Sequence, residues 1–148
     1  MSVGRVDILV VDDNDDDLIL ATEALNRTKR LAVVGKANDG QEALDFLRRK
    51  GKYATAQRPH IVLLDVNMPR MNGFEVLREI KADPALCCLP VVMLTTSMLE
   101  SEVSRCYSMG AAGFITKPVG FEKLLSTMMA FGVYWTHVSR VPESEENL

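Results

Sequence analysis

Three carboxylates, a hydroxyl and an ammonium stand just beyond short apolar runs of this chain. Asp12 and Asp13 follow the run from Val6 to Val11, Asp65 follows Ile61 to Leu64, Thr95 follows Val91 to Leu94, and Lys117 follows Gly113 to Thr116. Two carboxylates about 4 Å apart repel by roughly 4 kcal/mol at an effective dielectric near 20. Three such groups gather only if a carboxyl takes a proton or a cation joins them. An all-oxygen donor set suits Mg²⁺, which uses few protein ligands and keeps several waters. That ion also binds the oxygens of an incoming phosphoryl group and offsets the charge of its transfer. Asp65 is then the natural nucleophile, because a carboxylate can carry phosphate as a mixed anhydride. Thr95 and Lys117 would contact the remaining phosphoryl oxygens. Each residue also has a plainer use: Asp12 and Asp13 could open a turn, Lys117 could sit on the surface, and Asp15, Asp16 and Asp17 favour a helix N-terminus. Their common placement is what argues for a site.

The elements that must hold these residues are read from periodicity. Val6 to Val11 is an apolar, β-branched run, the pattern of a strand buried on both faces. Leu18, Ile19, Thr22 and Leu25 then recur at helical spacing. Leu31 to Gly35 predicts a second strand. Ala43, Leu44 and Leu47 lie on one face of a second helix entered through Asn38-Asp39-Gly40 and closed near Gly51. A polar loop from Lys52 to Pro59 leads to the third strand. Val76, Leu77 and Ile80 mark a helix from Gly73 to Ala82, stopped by Asp83-Pro84. Strand four is followed by a helix from Leu99 to Met109 that Gly110 ends. After strand five, the last helix is expected from Phe121 to Val138. Five strand–helix repeats imply a doubly wound parallel sheet with five helices on its two faces. In such sheets the site lies beyond the carboxyl ends of the strands, so the five side chains belong together.

Length and composition set bounds. The 148 residues suit one domain, 1–138, with an acidic tail at 139–148 expected to be disordered. A hydrophobic share of 47% beside 25% charged residues is the balance of a globular protein. The net charge of -3 argues against a nucleic-acid partner and against an electrostatic membrane anchor. No apolar run approaches the ~20 residues of a membrane span, and no signal peptide is visible. The adjacent Cys87 and Cys88, with Cys106, fit no metal-ligand spacing and read as reduced, partly buried thiols of a cytoplasmic protein.

With these motifs assembled, residues 6–138 resemble the receiver domains of two-component signalling. The likeness rests on the acidic pair Asp12-Asp13, on Leu63 to Gly73 around Asp65, on Leu94-Thr95-Thr96-Ser97 and on Phe114 to Pro118, with the family's separations between Asp65, Thr95 and Lys117. The resemblance implies a flavodoxin-like sheet of strand order 2-1-3-4-5. It implies phosphorylation of Asp65 by a histidine kinase or a histidine phosphotransfer protein. Mg²⁺ would be held by Asp13, Asp65 and the backbone carbonyl of Asn67, with Asp12 acting through water. Thr95 would turn toward the phosphoryl group, and Phe114 would follow it inward as the switch aromatic. The Lys117-Pro118 peptide would be cis, as in most relatives. Thr96 stands where the family often has a small residue; a larger side chain there should alter the lifetime of the phosphorylated state, which comparing autodephosphorylation of wild type and Thr96→Ala tests.

Thr95-Thr96-Ser97, the loop before Pro59 and Tyr134-Trp135 are also similar to small regulators paired with phytochromes. Many of those dimerise through helix four, strand five and helix five, a face that here holds Tyr107, Met109 and Phe114. Plain packing of the last helix would account equally well for Phe131, Tyr134 and Trp135. No output domain is seen after Val138, so the output expected is partner binding, dimerisation or onward transfer. The chain is expected to be a switch and not an enzyme. A haloacid-dehalogenase-like phosphatase is disfavoured because it needs a second aspartate at the position of Asn67, which cannot relay a proton. A receiver that only binds partners would more naturally have lost Asp65 or Lys117.

Overall fold

The computed structural model describes residues 4–96 and 99–142. Five strands, β1 (Val6–Val11), β2 (Leu31–Ala37), β3 (Ile61–Asp65), β4 (Val91–Thr95) and β5 (Gly113–Thr116), form one sheet of order β2-β1-β3-β4-β5. All four pairings are parallel. The helices are α1 (Asp15–Asn26), α2 (Gly40–Arg48), α3 (Gly73–Ala82), α4 (Glu100–Ser108) and α5 (Phe121–Val133). This is the doubly wound, flavodoxin-like arrangement expected from the sequence.

Every residue of β1, β3 and β4 is buried, while the edge strands β2 and β5 are only partly covered. The period-2 alternation of a strand divides the core in two. Ile8, Val10, Leu63 and Leu94 pack with Ala21, Leu25, Met128 and Trp135 of α1, α5 and the turn after it. Leu9, Val11, Leu64 and Met93 pack on the other face with Leu44, Leu77, Ile80 and Cys106 of α2, α3 and α4. None of the described helices is long and apolar enough to cross a membrane.

The helix starts are fixed by side chains. The Asn14 carboxamide accepts from Asp17 N–H, Asp39 accepts from Glu42 N–H, and Asn72 forms a reciprocal capping box with Glu75. These caps open the helices that follow β1, β2 and β3, so they help set the direction in which the chain leaves the sheet's carboxyl edge. At the third of these turns Gly73 packs so tightly that an added Cβ would lie 2.8 Å from the Cα of Val66 and overlap the Asp65 carbonyl. The loop between β3 and α3 closes only because no side chain is there.

Four expectations are corrected. The last helix is α-helical only to Val133 and then widens into a π turn, Tyr134–Val138, in which Ser139 N–H reaches the Tyr134 carbonyl at 2.6 Å. The Thr136 hydroxyl donates to the Gly132 carbonyl at 2.6 Å. The turn keeps Trp135 buried in the stripe of Leu124, Met128 and Phe131 while Val138 faces outward. The loop after α2 opens with a 3-10 turn at Gly51–Tyr53, whose ring packs edge-on against Phe46. Cys87 and Cys88 are exposed and only Cys106 is buried. The Lys117-Pro118 peptide is trans, the isomer intrinsically preferred at proline. Of the expected tail, Val141 packs against the Trp135 side of the core, and residues 143–148 lie outside the described residues, as does Ser97.

Candidate phosphoacceptor site

The five side chains expected to act together meet at the carboxyl edge of the sheet. Asp12 follows β1, Asp65 ends β3, Thr95 ends β4 and Lys117 follows β5. The central strands pair in register, with Asp65 beside Leu94 and Thr95 beside Thr116, so the backbone alone brings their ends level. Asp12, Asp65 and Thr95 are buried, while Asp13 is exposed.

Asp12, Asp13 and Asp65 each offer a carboxylate oxygen, and these oxygens lie within 4.8 Å of one another. Lys117 Nζ sits against the same group, 2.7 Å from Asp12 Oδ2 and 3.5 Å from Asp65 Oδ2. Asp12 Oδ1 accepts the Asn14 N–H at 2.9 Å, so both of its oxygens are engaged. Asp65 Oδ1 accepts the Asn67 N–H at 3.2 Å. Burial pushes the Asp65 carboxyl up to about 7; Lys117 pulls it back, Asp12 pushes it up, the Asn67 N–H pulls it down and Asp13 pushes it up again. Burial alone would lower Lys117, but its hydrogen bond to Asp12 and the charge of Asp65 outweigh burial and raise it. One ammonium therefore leaves a net negative, partly desolvated cluster of hard oxygen donors. That donor set and that excess charge fit a divalent cation.

Two residues do more than the sequence suggested. The Asn67 side-chain amide donates to Thr95 Oγ1 at 3.0 Å, linking the loop after β3 to the hydroxyl at the end of β4. Asp17, read as a helix-favouring acid, places Oδ2 3.1 Å from Lys117 Nζ across a separation of a hundred residues. Its place in the first turn of α1, one turn after the acidic pair, was the only available signal. Thr96 is exposed beside the site. Phe114 lies half-buried on β5 and packs against the core on the α4 side. Pro118 lines a cavity of about 240 Å³ with Asp17, Leu20 and Val119, on the flank of Lys117.

Fold and site together define a class, and residues 8–129 match the family model described as the response regulator receiver domain. The chain belongs to that family. It is 34% identical over 135 residues to Response regulator Rcp1 of Synechocystis sp., covering 91% of this chain and 92% of that protein. Its structure is similar to that of the phosphorylated cyanobacterial phytochrome response regulator RcpA, with a TM-score of 0.87 and 36% identity over 95% of this chain and all of that one. It is also similar to the Mn²⁺-bound form of Rcp1, with a TM-score of 0.83 and 33% identity over 93% of this chain and 99% of that chain.

Proposed function

We propose that this chain is a phosphorylation switch in which Asp65 accepts a phosphoryl group from a histidine kinase or phosphotransfer protein. The observation that carries the reading is the position of Asp65: buried at a strand end, 3.5 Å from an ammonium and within 4.8 Å of two further carboxylates. Asp12, Asp13, Asp65 and the Asn67 carbonyl would hold Mg²⁺, and when bound it would neutralise charge on the transferring group. That the similar Rcp1 has a Mn²⁺-bound form supports divalent-ion binding by this chain. Asp65 Oδ attacks phosphorus, the bond to the donor's leaving group breaks, and Lys117 and Thr95 offer hydrogen bonds to the new phosphoryl oxygens.

Thr95 would give up Asn67 when it turns to the phosphoryl group, and Phe114 would follow it inward. The added charge would bias a two-state surface made by α4, β5 and α5. Tyr107, Phe114 and Tyr134 border a cavity of about 360 Å³ on that face, and Tyr107 and Tyr134 are exposed, which supports a homodimer there. A phytochrome-type kinase is the favoured donor, because RcpA is a phytochrome response regulator. The signal would be received in the cytoplasm, without nucleic acid or membrane, by a receiver domain spanning 1–138.

The test is labelling with acetyl phosphate, with and without Mg²⁺, on wild type and Asp65→Asn, read by intact mass and size-exclusion chromatography. Modification that needs both Mg²⁺ and Asp65 is expected. Its absence in wild type under all conditions would leave only a partner-binding receiver.

A further inference from the structure

Lys117 is shared among three carboxylates, and the reading above uses only two of them. Its Nζ lies 2.7 Å from Asp12 Oδ2, 3.1 Å from Asp17 Oδ2 and 3.5 Å from Asp65 Oδ2. An ammonium has three N–H donors. Two of them serve Asp12 and Asp17 at 2.7 and 3.1 Å, so a short contact with a phosphoryl oxygen on Asp65 competes with these partners for the ammonium.

The three partners differ in what release costs. The Asp12 side chain is 3% exposed, so losing its cation would strand a buried charge. Asp65 is the group being modified. The Asp17 side chain is 43% exposed and stands in the first turn of α1. Water and the helix N-terminus can take over its charge at little cost. Its backbone is fixed by the Asn14 cap, which accepts the Asp17 N–H at 3.0 Å, so the carboxylate is held on the Lys117 side rather than free to wander.

Resting on the phosphoacceptor reading of Asp65, we infer that Asp17 is a positioning residue that keeps Lys117 at 3.5 Å from Asp65, short of a close hydrogen bond, in the unphosphorylated protein and yields it when the phosphoryl group arrives. It touches neither the reacting carboxylate nor the three-carboxylate cluster. It acts by setting where the ammonium waits, nearer α1 than Asp65. Removing its charge while keeping its shape should leave Lys117 already committed to Asp65.

The experiment measures initial rates of acetyl phosphate labelling at saturating Mg²⁺ for wild type, Asp17→Asn and Asp16→Asn. Asp16 is exposed and removes the same charge without reaching Lys117. Asp17→Asn is expected to raise the maximal rate two- to fivefold, the range a half-exposed ion pair spans, with the half-saturating donor concentration unchanged. Asp16→Asn should match wild type. Thermal unfolding of wild type, Asp17→Asn, Lys117→Met and the double variant reads the contact with no phosphoryl transfer: the Asp17→Asn loss should vanish once Lys117 is gone. An unchanged or lower maximal rate in Asp17→Asn, an equal rise in Asp16→Asn, or additive losses in the unfolding cycle would each overturn the inference. Wild type that takes no label would remove the phosphoacceptor reading itself, a different failure from a labelled wild type indifferent to Asp17.

Discussion

Lys117→Met is the substitution that most directly weighs the electrostatics of the site. The side chain is 13% exposed, and its ammonium is the cation held at 2.7 Å from the buried Asp12 and 3.5 Å from Asp65. Removing one partner of a buried ion pair costs about 3–5 kcal/mol, because the other charge is left desolvated. Methionine keeps the apolar stem, so the low end applies: about 3 kcal/mol, or a fall in Tm of about 6–12 °C for a chain of this size. The loss should depend on pH. Asp65 titrates at about 7 in the fold against 3.8 for the free side chain. A carboxyl raised in this way contributes stability that is fully present below 3.8 and is lost as pH rises through about 7. Lys117 pulls that folded value down, so without it Asp65 resists ionisation to higher pH and the penalty keeps growing. The deficit of Lys117→Met should therefore be larger near pH 8.5 than near pH 5.5. Mg²⁺ held by the same oxygens would supply positive charge and should narrow the deficit at the higher pH. Thermal unfolding followed by circular dichroism at both pH values, with Mg²⁺ or with a chelator, measures all four quantities. A deficit equal at both pH values and blind to Mg²⁺ would falsify the view that Lys117 offsets the charge of this cluster.

Gly73→Ala should cost about 1–3 kcal/mol, since its Cβ would lie 2.8 Å from the Val66 Cα and the neighbour is backbone that cannot swing aside; the urea midpoint reads the loss, and acetyl phosphate labelling should fall with it. Tyr53 donates to Glu42 at 2.8 Å, and burial followed by that bond pushes its phenol up from 10.0 to about 12. Its raised folded value means a contribution present below pH 10 and lost as pH climbs toward 12. Tyr53→Phe should flatten the stability profile in that window, and a profile unchanged by the substitution would exclude Tyr53 as its source.

Much of the fold was legible because three strands are buried on both faces. β1, β3 and β4 are dominated by Val, Ile and Leu, with Asp7 the one polar side chain inside β1, so near-continuous apolar runs mark them, and each run gives way to a polar side chain at its carboxyl end. The same rule placed Asp12, Asp65 and Thr95 at one edge before any distance was known. What escaped depends on distance rather than on pattern. Asp17 has the same local reading as Asp15 and Asp16, and only the return of the chain after β5 shows which of the three faces Lys117. Asn67 was read for its carbonyl, yet its amide meets Thr95 from a strand away. The π turn at Tyr134–Val138 is equally hidden, because an apolar helix end looks the same whether it continues with an α or a π register.

The burial pattern of the sheet has a consequence across its width. β1 and β3, which deliver Asp12 and Asp65, are sealed on both faces, whereas β5 is an edge strand with half-open residues and α4, packed beside it, buries only Cys106. Local opening free energy follows such differences in burial. Amide hydrogens of β1 and β3 should therefore exchange only on global unfolding, while those of α4 and β5 exchange through cheaper, partial openings. Asp12 and Asp65 thus stand on ground that does not yield, and Phe114 stands on ground that does. A charge added at that centre would be answered most cheaply toward α4 and β5, where a helix burying only Cys106 lies beside an edge strand with no buried residue, so the uneven depth of the core would set the direction in which a signal travels.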